Sequence, residues 1–245
     1  MPRRPVGMLR FWLENGFDKI RLATDRAVFG VSGGDLHALA MAPGVPGSEL
    51  EFSQELTLRP DGVARCVFTF DVPPAFADLP RVGVKMELPP EFDRVEYRGM
   101  GPIENYRDRA AAAYEGVFAD TVDGMFTPYI MPQSNGNRTR VLYAACRDAA
   151  GRGVLIAAPR RMEFSVSRFS QEDMTAALHL SDLKPDGVLH VCCDAFQRGV
   201  GTASCGPDTL EEYRIGPGRY HLEILLAPLA PGDDANAVGR SVLAE

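Results

Sequence analysis

The stretch Tyr97-Arg-Gly-Met-Gly-Pro-Ile-Glu-Asn-Tyr-Arg-Asp-Arg109 gathers two carboxylates, an amide, three arginines and two tyrosines into thirteen residues. Glu104 and Asp108 have the types and spacing of a general acid and base, since glycoside hydrolysis employs two carboxyl groups roughly 5–10 Å apart. Arg107 and Arg109 flank Asp108, however, so an ion-pair network that holds a long loop is the simpler account. A second polar loop, Met131-Pro-Gln-Ser-Asn-Gly-Asn-Arg138, offers Gln133, Asn135, Asn137 and Arg138, the donors and acceptors that sugar hydroxyls favour. The same Asn-Gly pair is also an ordinary turn.

Other chemistry finds little footing. The histidines His37, His179, His190 and His221 show no HxxxH or HxH spacing for zinc, and His190 and His221 fall in strand patterns. No GxSxG elbow, GxGxxG fingerprint or phosphate loop is present. Arg198-Gly-Val-Gly-Thr-Ala-Ser-Cys-Gly-Pro207 is glycine-rich but leads into no helix and lacks a lysine. Within it, Cys205 has no neighbouring His or Lys to lower its pKa as a nucleophile requires.

The elements that must position these loops are strands. Ala64, Cys66, Phe68, Phe70 and Val72 share one face of a period-two pattern. So do Val82, Val84, Met86 and Leu88; Met162, Phe164 and Val166; and Tyr220, Leu222, Ile224 and Leu226. Turn clusters such as Arg59-Pro-Asp-Gly62 and Lys184-Pro-Asp-Gly187 separate them. Helical signal is confined to Arg109–Tyr114, with its alanine run, and to Ser170–Leu178, where Ser170 could cap. The expectation is one large all-β, antiparallel sandwich over 1–230 with one or two short helices, and a flexible tail over 231–245.

The chain has 245 residues and a net charge of -7, with dispersed arginines, which gives no footprint for nucleic acid or an anionic membrane. Five cysteines without a CxxC pair predict reduced thiols and a cytoplasmic setting. Arg10 and Glu14 interrupt any apolar leader, and no run of about 18 apolar residues occurs. Asn137-Arg-Thr139 matches the glycosylation sequon by chance on this reading.

Taken in order, these loops resemble the C-terminal domain of family 2 β-galactosidases, also found as the small chain of two-subunit β-galactosidases. Gly99-Met-Gly-Pro-Ile-Glu-Asn-Tyr-Arg-Asp-Arg109 is similar to the family's G-x-G-P-x-E-N-Y-x-D-R. Met125-Phe-Thr-Pro-Tyr-Ile-Met-Pro-Gln-Ser-Asn-Gly-Asn-Arg138 is similar to M-[YF]-x-P-Y-x-x-P-x-E-N-G. Phe164–Met174, Gly199-Val-Gly201, Cys205-Gly-Pro207 and Tyr213-Arg-Ile215 continue the series, so the resemblance runs from about Trp12 to Leu229.

The resemblance implies a galactose-mutarotase-like, two-sheet supersandwich. It also implies that the catalytic glutamates and the magnesium and sodium sites lie in a barrel domain or large chain, with this chain closing one side of the pocket for a β-galactoside. No catalytic residue, metal or cofactor is then expected here. Glu104, Asn105, Tyr106, Asp108, Arg109, Gln133, Asn135, Asn137, Arg138 and Cys205 face or support the pocket. Multimers are common in the family.

Two departures bear on this. Cys205 stands where many members carry a stacking Trp, and a thiol cannot stack on a sugar. Met1–Met8 does not match the R-A-P-x-D-N-D segment expected before Trp12, so the chain is expected to begin inside the domain. The alternatives are a stand-alone carbohydrate-binding module and an aldose 1-epimerase, which would need a His acid and a Glu base.

Overall fold

The computed structural model describes residues 12–14, 16, 23–32, 35–45, 48–76, 78–201 and 206–244, with 23–49 given by backbone alone. Eleven strands dominate: β1 Ala23–Ser32, β2 Asp35–Val45, β3 Ser48–Leu58, β4 Ala64–Val72, β5 Arg81–Leu88, β6 Arg94–Gly101, β7 Tyr114–Thr121, β8 Arg138–Arg147, β9 Gly153–Ser167, β10 Leu189–Gln197 and β11 Gly218–Leu229. Every ladder is antiparallel. The order is β1-β2-β3-β4-β11-β9-β8-β6-β7, and β10 pairs with both β9 and β5. The all-β, antiparallel architecture expected from period-two alternation is thus the one observed.

The two arms of this sheet meet in β9. Its first half pairs with β11, ending at Ala157↔Leu225, and its second half pairs with β10, beginning at Glu163↔Asp194. Pro159 lies in the gap and has no N–H to give either neighbour. Arg161 sits at φ 61° and Arg140, on the facing β8, at φ 56°, where the β8–β9 register shifts twice. These are the marks of bulges, which bend a strand and re-aim its side chains. Side chains of β4, β5, β10 and β11 consequently share one core, among them Phe68, Val82, Val191 and Ile224.

The alternating faces of β4 and β5 run as expected. In β9, Glu163 and Ser165, which alternation assigns to solvent, are only 3% and 6% exposed. The strand is covered on both sides there, so alternation marks the two faces without telling which one meets water.

Short helices accompany the strands, among them α1 Val122–Met125, α2 Gln171–Ala176 and α3 Ala235–Ala244, and residues 12–14 are also helical. Ser170 caps α2 as expected, its hydroxyl accepting from the Asp173 N–H at 3.0 Å. The Arg109–Tyr114 segment is no helix. Ala113 N–H closes a turn on Ala110, and Tyr114 opens β7 opposite Gly101. A single turn of helix gains too few hydrogen bonds to outlast that ladder.

The expected loose tail is corrected as well. Asp234 accepts from the Ala237 N–H at 2.8 Å and starts α3, which lays Ala235 and Val242 on a second core formed by Tyr143, Leu155, Ala157 and Leu225. An N-cap followed by apolar residues at helical spacing was the signal. No helix among the described residues is long and apolar enough to cross a membrane.

Val242 is 7% exposed. Val242→Asp should therefore lower the unfolding free energy by about 2 kcal/mol or more, measured by urea denaturation. An unchanged midpoint would mean that the helix does not hold the sheet.

Candidate functional site

Three loops converge at one end of the β6–β7–β8 arm: 102–113 after β6, 126–137 before β8, and 198–201 after β10. Their polar side chains are spent mostly on one another. The Glu104 carboxylate, 7% exposed, accepts from the Arg109 guanidinium and the Tyr129 hydroxyl through one oxygen. Its other oxygen accepts from the Gly136 N–H at 2.8 Å. Gly136 sits at φ 70°, which glycine adopts without strain, and this turns its N–H toward the carboxylate.

Asn105 is fully buried and satisfied. Its Nδ2 donates to the carbonyls of Met100 (3.0 Å) and Ile103 (2.9 Å), and its Oδ1 accepts from the N–H (2.9 Å) and hydroxyl (2.6 Å) of Thr139. Asn135 bonds both backbone groups of Thr127. Asp108 holds the third loop, accepting from the N–H groups of Val200 (3.0 Å) and Gly201 (2.8 Å) and from the Thr209 hydroxyl (3.0 Å). The approach at this point is so close that a Cβ on Gly199 would lie 2.6 Å from Thr209 Oγ1 and 2.7 Å from Asp108 Cγ.

Beneath the loops, Asn137 donates from Nδ2 to the Asn105 carbonyl and to Glu163 Oε2, both at 2.9 Å. Glu163 also accepts from Arg107 at 2.9 Å, and Arg107 stacks 3.7 Å from the Phe196 ring centroid. Burial is the main influence on the Glu163 carboxyl and raises its pKa above the ordinary range, against the pull of Asn137 and Arg107. Burial likewise pushes the Tyr106 phenol upward.

A cleft of about 740 Å³ opens among these loops, lined by Glu104, Asp108, Arg109, Asp120, Tyr129 and Arg138 together with Ala111–Ala113. Of the residues singled out in the sequence, Glu104, Asp108, Arg109 and Arg138 face it, while Asn105, Tyr106, Asn135 and Asn137 are buried as supports. Gln133 is exposed and outside the lining. Cys205 lies outside the described residues. Asn137, the asparagine of the sequon, is 1% exposed and its amide nitrogen is engaged.

Asp120, Tyr129 and Glu163 were not foreseen. Tyr129 lies within the Met125–Arg138 motif and could have been read there, but Glu163 is a strand residue whose alternation points to solvent. His179 and His190 are both outside the lining, and His190 Nε2 lies 3.0 Å from Asp186.

The arrangement defines a class: an antiparallel β domain that presents interlocked polar loops as the wall of a cleft. Residues 17–226 match the family model described as beta galactosidase small chain, and the chain belongs to that family. It is similar to the "Beta-galactosidase" of Aeromonas hydrophila, 34% identical over 173 residues, which is 68% of this chain and 16% of that protein. It is also similar to the "Beta-galactosidase" of Psychromonas ingrahamii, 32% identical over 71% of this chain and 16% of that one. The match therefore spans about a sixth of these relatives' length. Among solved structures, a "Putative aldose 1-epimerase" from Escherichia coli K12 is similar at a TM-score of 0.45 and 11% identity, over 82% of this chain and 67% of that one.

Two measurements test the loop network. Asn105→Ala strands the buried N–H and hydroxyl of Thr139 and removes the donor to the Met100 and Ile103 carbonyls, and it should cost at least about 3 kcal/mol in urea unfolding. A loss under about 1 kcal/mol would show that the loops stand without it. The second concerns Glu163. A carboxyl whose pKa is raised on folding holds its proton more tightly in the native state, so its contribution to stability is complete below the unfolded value of about 4.3 and is lost as pH rises through the folded value. Wild-type stability should thus fall with rising pH in that window more steeply than that of Glu163→Gln; parallel pH profiles would refute the raised pKa.

Proposed function

We propose that this chain is the C-terminal domain or small subunit of a family 2 β-galactosidase acting on terminal non-reducing β-D-galactosides such as lactose. In that role it completes the sugar pocket of a barrel-bearing catalytic domain carried by another segment or chain. The observation that carries the reading is the cleft walled by Glu104, Arg109, Tyr129 and Arg138, lying within the stretch that matches the small-chain family.

Retaining hydrolysis needs one carboxylate free to attack and a second carboxyl to donate a proton, about 5–5.5 Å apart. Glu104 and Asp108 are each engaged by three donors, which suits a wall and leaves neither poised to react. The reacting glutamates, with the magnesium and sodium that the resemblance implies, are accordingly assigned to the partner. Ile103 on the cleft and Ile130 beyond Tyr129 are 53% and 90% exposed, and they offer the partner apolar contact. A cytoplasmic setting belongs to the same proposal. Cys66, Cys146, Cys192 and Cys193 are free and buried, and burial raises the pKa of each thiol.

Purified alone, the chain is expected to leave lactose intact; mixed with its large chain, it should restore turnover. In the reconstituted enzyme Glu104→Gln should lower kcat/KM by about tenfold, or about 1.4 kcal/mol of transition-state stabilisation. Hydrolysis by the isolated chain, or complete loss of turnover in Glu104→Gln with partner binding intact, would sink the proposal.

A further inference from the structure

Arg138 is 3% exposed, yet among the described residues no carboxylate pairs with it. Arg198, equally buried, is held between Asp78 and Asp208. Arg138 makes only neutral contacts. Its Nε donates to the Tyr97 hydroxyl at 2.9 Å, and its Nη1 donates to the carbonyls of Gly136 (3.1 Å) and Asn137 (3.3 Å). Its guanidinium carbon lies 5.7 Å from the Tyr97 ring centroid. Nη2 has no acceptor among the described residues, and the side chain lines the cleft. A cation withdrawn from water without a counter-charge is costly to hold, and a ligand that supplies the charge relieves it.

The other charged groups of the cleft sharpen the match. Arg109 spends Nη2 on Glu104 and Tyr129, which leaves Nε and Nη1 to a ligand. Glu104 and Asp108 are sealed by three donors each. Asp120 has one oxygen on the Thr121 N–H at 2.7 Å, and its side chain is pressed so closely by Gly124 that a Cβ there would lie 1.9 Å from Oδ1. Its second oxygen remains an acceptor in the cleft, out of ion-pair contact with Arg138. The cleft therefore offers the unengaged Nη2 of Arg138, the Nε and Nη1 of Arg109 and one carboxylate oxygen. That set fits a single negative charge carried beside hydroxyl or amide N–H donors.

We propose that Arg138, with Arg109 as a second donor, forms an oxyanion subsite that takes a carboxylate from a ligand whose own donors are accepted by Asp120. Two sources carry that chemistry: a uronic sugar, or an acidic residue inserted into the cleft by a docked protein chain. The inference stands on this cleft alone and does not require the β-galactosidase reading.

The test is calorimetric titration of the full chain with D-galacturonate and with N-acetylglutamate amide. Each is set against its neutral isostere, D-galactose and N-acetylglutamine amide. At least one acid should bind with a Kd of about 1 mM, and at least tenfold more tightly than its isostere. Arg138→Gln should erase that preference, while exposed Arg160→Gln should keep it. If Arg138→Gln does not fold, Arg138→Lys, which keeps the charge and loses the Nη2 donor that the guanidinium aims into the cleft, should weaken the acid by about fivefold or more. Binding of galacturonate alone identifies an acidic sugar, of the glutamate amide alone a protein side chain, and of both a general carboxylate site. Equal affinity for acids and isosteres, no heat with either acid at about fiftyfold the expected Kd, or a preference untouched by the Arg138 variants would overturn the proposal.

Discussion

The fold depends on one strand serving two neighbours. Between Ala157 and Glu163, β9 gives up its partner β11 and takes up β10, and the chemistry of that short stretch makes the exchange possible. Proline has no N–H to donate to either side, and a residue at positive φ turns the strand. A straight β9 would extend the β11 ladder and leave β10 and β5 without an attachment to the rest of the sheet. The bend also delivers Glu163 beneath the loops, where Asn137 and Arg107 meet it.

Above the bend, the loops complete one another's hydrogen bonding. A long loop buried against a sheet has many backbone groups to satisfy, and here side chains of the same loop and of its neighbours do so. Asn105 serves Met100, Ile103 and Thr139; Asn135 serves Thr127; Glu104 serves Gly136; and Asp108 serves Val200 and Gly201. The carboxylates that looked reactive in sequence are thus acceptors in a scaffold. Glu104 is balanced by Arg109, whereas Asp108 is held by neutral donors, and Arg138 in the same neighbourhood likewise has no ion-pair partner among the described residues.

Much of this was legible in the sequence because strands half-covered by a core alternate in polarity. Cys66, Phe68, Phe70 and Val72 could be assigned to one face from their spacing, and the Asn-Gly and glycine-rich stretches could be assigned to loops. The motif residues Glu104, Asp108, Arg109 and Arg138 could be grouped, and they do share one cleft. Features that depend on what covers an element were hidden. Glu163 looks like a solvent-facing residue until the loops are laid over it. The alanine run at 110–113 looks helical until β6 claims Tyr114, and the final helix reads as a tail unless Asp234 is recognised as its cap. The partner switch in β9 was marked by Pro159, a residue that period-two counting passes over.

The tight approach of Gly199 to Asp108 and Thr209 has a bearing on protein engineering. The backbone of one loop rests against a carboxylate from another, and there is no room for a methyl group between them. Transplanting a single loop from a relative would meet a surface shaped for a different neighbour, however similar its ends. The units that can be exchanged between such domains are therefore sets of loops, with the 102–113, 126–137 and 198–201 segments moving together, and chimaeras cut between strands should respect that grouping.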